Sequence, residues 1–113
     1  VTAVEEIRRA AALMRERATK ATPSPWEAEE NTAVVAPNYG DDGWTVFYDE
    51  DAHRRDITHI ASWHPAVALA VADLLDTLAV GIESAAADRC ENAYIDEVAV
   101  LAVARAYLAG EQR

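Results

Sequence analysis

Apolar residues recur at Val4, Ile7, Ala11 and Met14, and this spacing of three and four predicts an amphipathic helix from about Ala3 to Thr19. Thr2 followed three residues later by Glu5 is a capping-box pattern at its start. Thr22-Pro23-Ser24-Pro25 ends it, because each proline pushes the residue before it out of the helical region. Short β-type runs follow at Trp26 to Glu29, Thr32 to Ala36 and Trp44 to Tyr48, which predict a three-stranded antiparallel meander. Its turns fall at Glu30-Asn31 and at Asn38 to Gly43, the second rich in residues that accept positive φ. Strict alternation in the last strand sets Trp44, Val46 and Tyr48 on one face, Thr45 and Phe47 on the other. Both faces then carry large groups, so one is expected to be covered by helices and the other by a partner.

Asp49 to Arg55 reads as a polar loop, with Asp56 as the N-cap of a short helix through about Ser62. Pro65 fits the first turn of a longer helix, on which Val67, Val71, Leu74, Leu75, Leu78 and Ile82 form a stripe that leaves out Asp73, Asp76 and Thr77. A second capping-box pattern, Asp88 with Glu91, or Asn92 acting as cap, opens a last helix reaching about Ala109, with Gly110 as its C-cap. Val98 to Ala104 is apolar all round and predicts burial on more than one side. The expected fold is α+β, one domain over residues 1–113: an N-terminal helix, a small three-stranded antiparallel meander, a short helix and a C-terminal helical hairpin packed on one sheet face. Helices 65–83 and 92–109 present more apolar surface than the other elements can cover. A symmetric homodimer through them, with Leu101 and Val103 at the contact, is the expected cover.

With 113 residues, 51% of them hydrophobic, the chain has the size of one compact domain, and its 25 alanines favour helix. Twenty acidic residues against ten basic ones give a net charge of -10, which repels phosphate backbones and anionic lipid and argues against direct nucleic-acid or membrane binding. The charge is uneven: residues 27–56 hold nine acids and two bases, residues 5–20 three acids and five bases. Asp41, Asp42, Trp44, Asp49, Glu50 and Asp51 are therefore candidates for a surface that meets a partner protein with a basic surface, although a solvated loop is the commoner meaning of such a run. Imitation of DNA phosphates toward that partner is the sharper form of this expectation.

The lone Cys90 cannot form an internal disulfide, which fits a reducing compartment and suggests a cytoplasmic location. Residues 1–14 place Glu5 and Glu6 before Arg8 and Arg9 and show no apolar signal core. Asp73 and Asp76 interrupt the apolar run from Pro65 to Ile82, so no bilayer span is expected. Nine of the ten bases are arginine, which with the alanine excess suggests a GC-rich genome.

His53, His59 and His64 fall within twelve residues near Asp49, Asp51 and Asp56, yet their spacing matches no recognised metal motif, and Asp41, Asp42, Asp49 and Asp51 lack the EF-hand order. No nucleophile elbow, phosphate loop, dinucleotide fingerprint or Cys pair occurs, so no catalytic residue, metal or cofactor is expected. Asp56 and His59 stand at i, i+3 and could interact. Trp26, Trp44 and Trp63 more often anchor helix to sheet in a domain this small than line a pocket. The alternative function is a small-molecule-binding protein or small hydrolase with a pocket at His59, Trp63 and His64.

The segments Ala21-Thr22-Pro23-Ser24-Pro25-Trp26 and Asp56 to Pro65, continued by Ala66-Val67-Ala68-Leu69, resemble a family of small uncharacterised actinobacterial and actinophage proteins. That family has an ATPGPW-like motif, short strands, then an HIA and a Pro opening a helix. The similarity covers roughly residues 13–78; Ser24 stands where the family usually has Gly, and His64 where Asp or Asn often precedes the Pro. The resemblance implies a phage or prophage accessory protein and carries no activity or catalytic residue with it.

Overall fold

A computed structural model of the chain describes residues 2–88 and 96–109. In chain order it holds helix α1 (Ala3–Lys20), strands β1 (Glu27–Glu29), β2 (Ala33–Ala36) and β3 (Trp44–Tyr48), and helices α2 (Arg54–Ser62), α3 (Pro65–Asp88) and α4 (Glu97–Ala109). The architecture is α+β, with more than half of the residues helical. The chain divides into two compact units, residues 1–15 with 70–113 and residues 16–69, so that the divisions fall inside α1 and α3.

The first unit is helical. Thr2 and Glu5 close the capping box in both directions: Glu5 N–H donates to Thr2 Oγ1 at 3.1 Å and Thr2 N–H to the Glu5 carboxylate at 3.2 Å. Ile7, Ala10, Ala11 and Met14 of α1 meet Ala72, Leu75 and Ala79 of α3 and Val100, Ala104 and Leu108 of α4 in one core. The buried line of α3 is thus Ala72-Leu75-Ala79, with Val71, Leu78 and Ile82 at its margins, and Leu74 stands 55% exposed. The expected stripe is rotated, because alanine is small enough to let helices approach closely while counting little in a hydropathy pattern. In α4 only Val100, Ala104 and Leu108 are buried, whereas Val98 is 79% and Val103 46% exposed, so the apolar run is not enclosed on several sides.

Arginine-carboxylate pairs border this core. Arg8 clasps Glu83 with both terminal nitrogens at 3.1 and 3.2 Å, Arg15 bridges Asp73 and Asp76, and Arg105 Nε donates to Glu6 at 2.9 Å. Pro65–Ala85 is, among the described residues, the one stretch long and apolar enough to cross a membrane. The two carboxylates that interrupt its apolar run, Asp73 and Asp76, are both ion-paired to Arg15 beside a helix face that fills a core. The expected caps at Asp88, Glu91, Asn92 and Gly110 involve residues or side chains outside those described. The cap of α4 that is seen is Asp96, whose carboxylate accepts the Ala99 N–H at 3.0 Å.

The second unit is mixed. The sheet runs β1-β2-β3, antiparallel throughout, as the sequence predicts. Val34, Ile57 and Ala61 form its core, with Trp26, Ala28, Val46, Ala52 and Ile60 packed around them, so α2 covers one face of β1 and β2. Helix α2 starts at Arg54 behind His53, which makes no side-chain cap. Asp56 is therefore not the cap; it lies in the first turn, where a carboxylate favours the positive end of the helix dipole. Of the three tryptophans only Trp26 anchors a core, its indole N–H donating to the Thr22 carbonyl at 2.9 Å; Trp44 and Trp63 are 57% and 43% exposed.

Candidate interaction surface

The sequence candidates lie along β3 and at its two ends. The β2–β3 loop is set by a Tyr39 N–H bond to the Ala36 carbonyl and by Gly40 and Gly43 at φ 77° and 82°, a region that disfavours a side chain. Asp41 and Asp42 lie on this loop before β3; Asp49, Glu50 and Asp51 follow it, the Asp49 carboxylate accepting the Asp51 N–H at 3.0 Å to round the turn. All five carboxylates are exposed. So are Tyr39, Trp44, Phe47 and Tyr48, at 46%, 57%, 38% and 63%, and the Trp44 ring meets Tyr39 edge-on at 6.0 Å.

The strict alternation expected for β3 does not hold. Val34 pairs with Phe47 and Val35 with Thr45, which leaves Val46 as an extra, bulged residue. Directly opposed residues share a face, so Trp44 joins Phe47 on the side of Val34 and Ala36, while Thr45 and Tyr48 join Ala33 and Val35 on the other. On that other side a groove of about 330 Å³ runs over Val35 and Thr45 between the carboxylates of Glu29 and Asp42. Sequence reasoning singled out the acids and Trp44 but not Tyr39, Phe47 or Tyr48. Aromatic residues in or beside a strand signal a core, and it is their exposure in the folded chain that shows them uncovered.

His59, Trp63 and His64 line neither the groove over Val35 and Thr45 nor the apolar one beside Ser24. His59 is exposed on α2, where its carbonyl accepts the Ser62 hydroxyl. Trp63 closes α2 through its N–H to Ile60. His64 is half-buried, with Nδ1 3.0 Å from Ser24 Oγ, and that hydroxyl accepts the Ala66 N–H at 2.9 Å. Ser24 Oγ therefore caps the first turn of α3 while sharing a hydrogen bond with His64 Nδ1. An apolar groove of about 320 Å³ beside it is lined by Ala18, Ala21, Pro23, Pro65 and Leu69, and by none of the three candidates. Among the described residues no three of His, Cys, Asp and Glu converge as a metal-ligand set. Comparison with protein-family models, with curated proteins and with solved structures finds no match to this chain.

Proposed function

We propose that the chain is a non-enzymatic acidic interaction module that docks on a basic surface of another protein through the β2–β3 hairpin. The observation that carries this reading is four exposed aromatic side chains, Tyr39 on the loop before β3 and Trp44, Phe47 and Tyr48 on its two faces, with the carboxylates of Asp41 and Asp42 at one end of the strand and those of Asp49, Glu50 and Asp51 at the other. Aromatic groups supply most of the energy of protein interfaces, and a cluster of one charge steers an oppositely charged partner in a salt-dependent way. In the phage or prophage setting that the sequence resemblance implies, the partner is a host protein and the site of action the host cytoplasm. The test is affinity capture from an actinobacterial lysate with the wild-type chain and the Trp44→Ala/Tyr48→Ala variant in parallel. A partner held by the wild type, released by salt and lost with the variant supports the reading; a set of captured proteins indifferent to both overturns it.

A second copy of the chain is the other partner we propose, at α4. Val98 and Val103 stand exposed on a helix with no carboxylate from Val98 to Ala109, the kind of surface across which two chains of net charge -10 can meet. Val103→Glu then shifts sedimentation toward monomer. Leu101 packs against the helical core and is the wrong place for that charge. A single 12.3 kDa species at high concentration of the wild type overturns this contact.

A further inference from the structure

The hairpin offers more than a patch. Among the described residues β3 has β2 as its only sheet neighbour, so the backbone groups on its other side are an open edge. The opposite edge is defended: β1 is three residues long, carries Glu27 and Glu29, and is packed by α2. Strand β3 has none of the usual edge defences except the Val46 bulge, for Trp44-Thr45-Val46-Phe47-Tyr48 contains no charge and no proline. Resting on the proposed docking function, we infer that β3 accepts an extended, basic segment of the partner protein as a fourth strand of the sheet.

Charge decides the occupant. The five residues of β3 span about 17 Å and have carboxylates at both ends, Asp41 and Asp42 before Trp44 and Asp49, Glu50 and Asp51 after Tyr48. A second copy added antiparallel along this edge sets Asp41 and Asp42 against the other copy's Asp49, Glu50 and Asp51 at both corners. Added parallel, it sets each cluster against itself. Like charges meet either way, so self-pairing is disfavoured. A heterologous strand with Lys or Arg at both ends, spaced about six or seven residues apart, places a cation at each corner. Main-chain hydrogen bonds then supply affinity, and the flanking charges select the partner.

The probe is a labelled synthetic peptide of alternating Val and Thr between two Arg pairs, titrated into the full chain by fluorescence anisotropy, with amide exchange read at residues 44–48. Controls are the same peptide with Glu flanks, the Arg-flanked peptide N-methylated at alternate residues, and the variant D41N/D42N/D49N/E50Q/D51N, whose altered positions are all exposed. The expected result is protection of β3 amides, at least tenfold weaker binding after N-methylation, and at least tenfold weaker binding for the Glu-flanked peptide and for the neutralised variant. Binding that ignores N-methylation and leaves β3 unprotected overturns the added strand but leaves the acidic docking surface standing. Binding that depends on N-methylation but not on charge overturns the basic partner. Absence of binding overturns the inference, since strand addition tolerates sequence. Protection of residues 44–48 that grows with protein concentration without peptide overturns it too, because the occupant is then a second copy.

Discussion

Ser24 and His64 lie 40 positions apart yet meet at the start of α3. The residue before a helix usually caps it with its own side chain; here His64 supplies the carbonyl to Val67 and Ala68, and Ser24 supplies the capping oxygen. Ser24→Ala is therefore expected to cost about 1 kcal/mol in chemical denaturation. Adding His64→Asp, which restores a local cap, should recover most of it; a double variant as weak as the single one would show that the hydroxyl matters for another reason. Glu30 holds φ 53° at the β1–β2 turn, so Glu30→Gly should leave stability unchanged or raise it, against the ordinary cost of glycine. Lys20 donates to Glu16 at 3.0 Å, and that hydrogen bond and charge hold the Glu16 carboxyl below its usual range. A lowered folded-state value means that the pair's contribution is complete above the ordinary carboxylate pKa and is lost as pH falls through the Glu16 value. Lys20→Ala should raise the Glu16 titration midpoint seen by NMR, and an unmoved midpoint would count against the pairing.

At the level of elements, the helices of the first unit pack through alanine. Ala10, Ala11, Ala72, Ala79 and Ala104 are all fully buried, so Ala79→Leu or Ala104→Leu should destabilise by about 1–3 kcal/mol through overpacking, although each adds hydrophobic surface. Leu75→Ala, which empties the largest side chain that α3 buries in this core, should cost about 2–5 kcal/mol. Thermal melts of the three variants decide both points. Much of this order was legible in the sequence. The prolines at 23 and 25, the glycines of the second turn and the β-branched and aromatic runs placed all three strands to within a residue, because those signals are local. The face that α3 buries was not legible, since Leu74 outweighs Ala72 in any pattern while packing prefers the smaller group. Nor was the bulge at Val46, because strand pairing depends on both strands and an alternation is read along one. The aromatic half of the candidate surface was hidden because aromatic residues in or beside a strand read as core, whereas its acidic half showed plainly.

For the whole molecule, the net charge of -10 and its concentration in residues 27–56 make salt the natural variable. Added salt should weaken docking of a basic partner mainly by slowing association, with dissociation little changed, and surface-plasmon kinetics separate the two. The division of the chain has a consequence for its synthesis. Residues 16–69 are contiguous, whereas the helical core needs residues 1–15 together with residues beyond 70. As the chain leaves the ribosome, Ile7, Ala10, Ala11 and Met14 emerge first and wait for Leu75, Val100 and Leu108, which come last. Met14, the sole methionine in the sequence, is 1% exposed once that core has closed. On nascent chains arrested short of α4 it should be open to oxidation by peroxide, and in the finished chain it should be shielded. The Met14 sulfur thus serves as a clock for the moment at which α1 and α4 meet.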